Sequence, residues 1–229
     1  MRATLPVWCF MFLLIFASCE TEVEEVPTDF GFEYQPLETG LFWIYEVEQT
    51  SYFGENDSED EQFFYRDLIR TFYLNEAREQ VFVITRAKST DRSNWTTQFE
   101  YTLLRREFRL LRTIENQTLV NLVFPPELGK IWDGNIYRDM DKDEFEIDSV
   151  GNSMMGDGSS NNILRVNQED SDDQITYRDI RYEVFEKGVG MIEKYDEVLT
   201  YCSRNECLGD KLIDSGNVVY MKLVEYGKQ

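Results

Sequence analysis

The sequence predicts an all-β fold, a single curled antiparallel sheet or open barrel with little helix beyond an N-terminal leader. Three observations predict it. From residue 36 the chain is a succession of runs rich in β-branched and aromatic residues, parted by short polar or glycine-bearing breaks. Several runs have ten or more residues, about 33 Å of strand at the usual rise, and strands of that length belong to strongly curled sheets. Helical periodicity is scarce after the leader.

Residues 1–18 have the parts of a secretory leader: Arg2, an apolar core from Leu5 to Phe16, and the small pair Ala17-Ser18. The apolar run is shorter than the roughly 20 residues that span a bilayer. It ends in Leu14-Ile15-Phe16-Ala17-Ser18-Cys19, the pattern of a bacterial lipobox, which places cleavage before Cys19 and lipid on its thiol. Residues 19–35 are acidic, beginning Glu20-Thr21-Glu22-Val23-Glu24-Glu25, and are expected to be a flexible tether. Residues 36–229 are expected to be one β-rich domain.

Within that domain Pro36 to Gly40 form a turn before Leu41–Glu48, where Leu41, Trp43, Tyr45 and Val47 share one face and Glu46 and Glu48 the other. An acidic loop is predicted from Gly54 to Glu61, then strands at Gln62–Leu74, Gln80–Lys88, Asn94–Arg105, Glu107–Ile114 and Gln117–Phe124. Phe124-Pro125-Pro126 ends that meander. Gly129 to Asn135 opens a second half, and Asp139 to Asp173 is rich in Asp, Gly, Ser and Asn. Strands are placed there at Glu144–Val150 and Ile163–Gln168, with a mobile loop through Asn162 and a turn at Glu169–Asp173. Strands at Gln174–Glu186 and Val189–Tyr201 flank Lys187 to Gly190. A final one at Asn217–Tyr226 follows an Asp214-Ser215-Gly216-Asn217 turn.

Of four cysteines, Cys9 lies in the leader and Cys19 takes the lipid. Cys202 and Cys207, with four residues between them in an exported chain, are expected to form a disulfide that shapes a hairpin end. Removing residues 1–18 takes away one positive charge, Arg2, so the net charge passes from −21 to −22. Such a surface repels nucleic acid, which is excluded as a partner.

Three stretches, Pro36-Leu37-Glu38-Thr39-Gly40-Leu41-Phe42-Trp43-Ile44-Tyr45, Trp132-Asp133-Gly134-Asn135 and Lys187-Gly188-Val189-Gly190-Met191-Ile192, resemble landmarks of the uncharacterised β-rich lipoproteins common in Bacteroidota. The resemblance implies a curled antiparallel sheet like the half-barrels of lipoprotein carriers and an envelope location. It brings no catalytic residues. Each stretch also has a fold-making explanation, in glycine turns and large rings two apart on a buried face.

The chain contains no histidine, which removes imidazole-based triads and the common zinc and haem sites. Phosphate-loop and dinucleotide fingerprints are also missing from the sequence. Carboxylates are what remain. Asp139, Asp141 and Asp143 have the spacing that opens a calcium loop, but Glu144 replaces its glycine and Val150 its closing glutamate, so no cofactor is expected, with calcium the single weak alternative. The expected role is a non-enzymatic one, binding or assembly at the outer membrane, on its periplasmic or surface face. The ligand is either an envelope protein or an apolar or carbohydrate molecule in the hollow of the sheet, lined by Trp43, Tyr45 and Trp132. Two alternatives stand beside it: a carboxylate-dependent glycan hydrolase, and a purely structural component of an envelope complex.

Overall fold

The computed structural model describes residues 29–54, 57–154 and 160–229. The leader, Cys19 and the acidic start of the tether lie outside the described residues, as does the centre of the loop expected before Asn162.

Twelve strands follow one short 3-10 turn (Phe32–Tyr34): β1 (Leu41–Gly54), β2 (Asp57–Leu74), β3 (Gln80–Ser89), β4 (Thr96–Arg106), β5 (Arg109–Ile114), β6 (Gln117–Val123), β7 (Ile131–Asp133), β8 (Glu144–Met154), β9 (Ser160–Asp172), β10 (Tyr177–Glu186), β11 (Gly190–Tyr201) and β12 (Ile213–Lys228). They form one sheet in the order β6-β5-β4-β3-β2-β1-β12-β11-β10-β9-β8-β7, and every neighbouring pair is antiparallel. No α-helix occurs among the described residues. The two edge strands approach each other: the Val120 amide donates to Gly134 O at 2.9 Å, and the Trp132 indole N–H to Val120 O at 2.8 Å. The expected curled sheet is thus a nearly closed barrel with its seam between β6 and β7.

Several strands run further than composition implied. The acidic stretch predicted as a loop from Gly54 is largely strand, with Asp57 to Glu61 pairing Gly54 to Gln49. The predicted turn at Glu169–Asp173 is mostly the end of β9, paired with β10. The Asp214 to Asn217 turn lies inside β12. In each case the ladder supplies backbone hydrogen bonds that outweigh the weak strand preference of Asp, Ser and Gly. Gly216 shows the requirement most clearly. It faces Leu199 with φ of 138°, and a Cβ there would lie 2.2 Å from Val198 O.

Inward side chains build one apolar cluster that runs around the barrel, including Trp43, Tyr45, Phe63, Ile69, Phe82, Leu110, Phe145, Leu164, Phe185 and Met221. A second, smaller cluster of Val81, Leu104, Leu111, Val120 and Val123 lies on the other face of β3–β6, and Trp132 packs against both. The last part of the expected tether does not hang free. Tyr34 is buried in the main cluster, the Gly188 amide donates to Glu33 O at 2.9 Å, and Phe32 meets Phe124 edge-on at 5.0 Å. Phe32 and Tyr34 are why: an acidic spacer has nothing to bury, and these two rings do. Cys202 and Cys207 form a disulfide, Cα to Cα 5.9 Å, between β11 and β12.

Gly216→Ala should destabilise the protein by about 2 kcal/mol or more, because the new Cβ meets backbone and the dihedral suits no L side chain. Gly151→Ala, whose Cβ meets nothing within 4 Å, should stay within about 0.5 kcal/mol. Urea denaturation of both variants checks the pair.

Candidate functional site

A cavity of about 90 Å³ remains inside the barrel, lined by Trp43, Tyr45, Arg86, Tyr101, Arg112, Asn121 and Lys194 together with Gln35, Phe99, Leu103, Ile114, Phe185 and Met191. Its aromatic wall is fixed by backbone contacts. Trp43 donates its indole N–H to Val189 O at 2.7 Å and Tyr45 its hydroxyl to Met191 O at 3.1 Å, which joins two of the landmark stretches. Gly190 makes that contact close, since a Cβ there would sit 3.2 Å from the Trp43 indole nitrogen. Of the three residues expected to line a hollow, Trp43 and Tyr45 do. Trp132 does not; it stands at the seam, edge-on to Phe145 at 5.9 Å.

The charged wall is built from two ion-pair groups. Arg86 on β3 and Asp67 on β2 are direct cross-strand partners, joined by two parallel hydrogen bonds of 2.7 and 2.6 Å, and the Tyr101 hydroxyl donates to Asp67 at 3.0 Å. The Arg86 guanidinium also lies 4.8 Å over the Tyr65 ring. In the second group Glu183, fully buried, accepts from Arg112 at 2.7 Å and from the Asn121 amide at 3.2 Å, with Lys194 at 3.6 Å and Asp196 beyond it at 2.7 Å. Burial alone would push the Glu183 carboxyl up. The charges of Arg112 and Lys194 and the hydrogen bonds to it win, and hold it down at about 2. Burial, then the neighbouring Asp67 charge, drives the Tyr45 and Tyr101 hydroxyls far above the usual phenol range, so both stay neutral donors.

Strand alternation explains most of this placement. Asp67 has the parity of Phe63 and Ile69, Arg86 that of Phe82 and Ile84, Arg112 that of Leu110, and Glu183 that of Phe185, all buried inside. A charged residue in register with buried apolar ones is the signal that the sequence carries for these four. Lys194 and Asn121 carry no such signal, because β-bulges place them. Phe185 pairs Met191 but Val184 pairs Glu193, so Ile192 is an extra residue and the parity of β11 flips, turning Lys194 inward opposite Glu183. Asn121 is itself the extra residue between Leu110↔Leu122 and Leu111↔Val120.

Of the three aspartates weighed for calcium, Asp139, Asp141 and Asp143, two have contacts within the fold. Asp143 faces Arg181 at 3.4 Å, and the Asp141 carbonyl accepts from the Asn135 amide at 2.9 Å. Among the described residues no three Cys, Asp or Glu converge as metal ligands.

No family model matches the chain, and no curated protein does. Among solved structures, one similar chain, from Bacteroides fragilis and named as an exported protein with a YmcC-like fold, has 10% identity and a TM-score of 0.44, over 85% of this chain and 98% of its own. Another, from Parabacteroides distasonis and named as a lipoprotein, has 7% identity and a TM-score of 0.39 over the same shares.

Two outcomes are expected from the ion pairs. Arg86→Met should cost about 3–5 kcal/mol by stranding Asp67, while Asp67→Leu with Arg86→Met should cost clearly less, as measured by urea denaturation of the cycle. Glu183, whose folded value of about 2 lies below its ordinary 4.5, contributes stability that is complete above pH 4.5 and is lost as pH falls toward 2. The loss should be on the order of 3 kcal/mol, and Glu183→Gln should flatten that part of the stability–pH curve.

Proposed function

We propose that the chain is a lipid-anchored protein of the cell envelope, attached at the outer membrane through Cys19, and that its barrel is a non-enzymatic binding module. The anchor rests on the leader and lipobox of residues 1–19. The binding part rests on one observation: a barrel whose interior is otherwise filled by its own side chains keeps a cavity lined with three cations, neutral tyrosine hydroxyls and aromatic rings.

That filling argues against the small-molecule ligands expected for the hollow. Sites for organic ligands of ordinary size have about 300–1,000 Å³, so a cavity near 90 Å³ admits neither an acyl chain nor a sugar. The glycan-hydrolase alternative needs a carboxyl kept protonated near neutral pH. Glu183, the fully buried carboxyl behind the cavity wall, is moved the opposite way. The assembly alternative has one supporting feature, a small apolar patch beside the seam where Phe108 and Ile131 are 51% and 56% exposed and Phe30 packs at 5.5 Å from Phe108.

Cys19→Ala should move the protein from the membrane to the soluble fraction, as followed by fractionation and by loss of labelled fatty acid. Retention in the membrane would remove the anchor from the proposal.

A further inference from the structure

The cavity wall has unspent hydrogen-bonding capacity of two kinds. On the donor side, Asp67 takes two of the five N–H groups of Arg86, and Glu183 takes one of those of Arg112. The Lys194 ammonium, held by Asp196 at 2.7 Å with Glu183 at 3.6 Å, is the third cation on the wall. Asp67 and Glu183 are not among the lining residues, so the cavity sees the cations while their carboxylates stand behind them. On the acceptor side, Asn121 is 2% exposed and its Oδ1 has no hydrogen-bond partner among the described residues, although its Nδ2 is engaged by Glu183. An unpaired amide oxygen at that depth costs about 1–3 kcal/mol unless something donates to it. In a chain of net charge −21, three cations facing one enclosed space is the reverse of the surface pattern.

We propose that this cavity is a binding site for a small oxyanion that also carries a hydrogen-bond donor, a 2-hydroxycarboxylate or a hydrogenphosphate. The oxyanion takes the free N–H groups of Arg86 and Arg112 and the Lys194 ammonium; the hydroxyl donates to Asn121 Oδ1. The inference rests on the reading of the barrel as a binding module and names the ligand class of that site.

Size supports the class. A cavity of roughly 150 Å³ holds benzene, six heavy atoms, so about 90 Å³ scales to roughly four, near the size of glycolate or phosphate and well short of a sugar. Chemistry narrows it further: a plain carboxylate such as acetate would leave Asn121 Oδ1 unpaired, and a cation would face Arg86, Arg112 and Lys194. Phe99, which lines the cavity, is 36% exposed, so the wall is thin at this residue.

The test is calorimetric titration of the purified full chain with glycolate, acetate and inorganic phosphate in separate arms. Glycolate or phosphate should bind saturably, glycolate about tenfold more tightly than acetate; which of the two binds tighter identifies the source as carboxylate or phosphate. Lys194→Met should weaken binding about tenfold, and Asn121→Leu should abolish the preference for glycolate over acetate. The wild-type preference stands as a measurement of its own if either variant fails to fold. Equal affinity for glycolate and acetate, or no saturable binding of any of the three, would overturn the site, and a crystal grown with the tightest-binding probe that shows only water in the cavity would do the same. Such a failure with the protein still released from membranes by Cys19→Ala would remove this ligand class and leave the envelope anchor standing.

Discussion

Closing twelve antiparallel strands into a barrel creates an interior that side chains must fill, and the rest of the structure follows from how it is filled. Eight strands already give a bore that side chains can just occupy. With twelve, the apolar cluster covers most of the wall, and longer charged side chains reach across what remains. Arg86, Arg112 and Lys194 enter the interior only because Asp67 and Glu183 are there to pair them, since an unpaired ion at that depth would cost several kcal/mol. The ion pairs and the cavity are therefore two sides of one packing solution.

Closure itself is lopsided. The terminal strands β1 and β12 share a long ladder with one bulge, from Leu41↔Lys228 to Tyr52↔Gly216, whereas the seam between β6 and β7 is held by the Val120 and Trp132 contacts. Trp132 belongs to this joint, packing between the inner and outer apolar clusters. The segment from residue 29 to Gln35 packs against Lys187, Gly188 and Phe124, and Gln35 reaches the cavity wall.

Bulges translate this architecture into a site. A regular β11 would alternate Met191, Glu193 and Tyr195 inward, and would bring a carboxylate toward Glu183. The extra residue Ile192 replaces it with Lys194, converting a like-charge clash into a pair. The bulge at Asn121 likewise buries an amide beside Leu122 without breaking the apolar ring of the barrel.

Local pattern alone determined the all-β class, most strand positions, the Cys202–Cys207 pairing and the inward face of Trp43 and Tyr45, because alternation, turn residues and cysteine count are properties of neighbours along the chain. The same alternation contained Asp67, Arg86, Arg112 and Glu183 as inward charges. Tertiary structure decided the rest. Acidic stretches such as Asp57 to Glu61 became strand because a partner ladder was present, Trp132 went to the seam because the sheet closed, and Lys194 and Asn121 turned inward because bulges shifted their parity. A bulge is a mismatch between two strands, so it leaves no mark on either one read by itself.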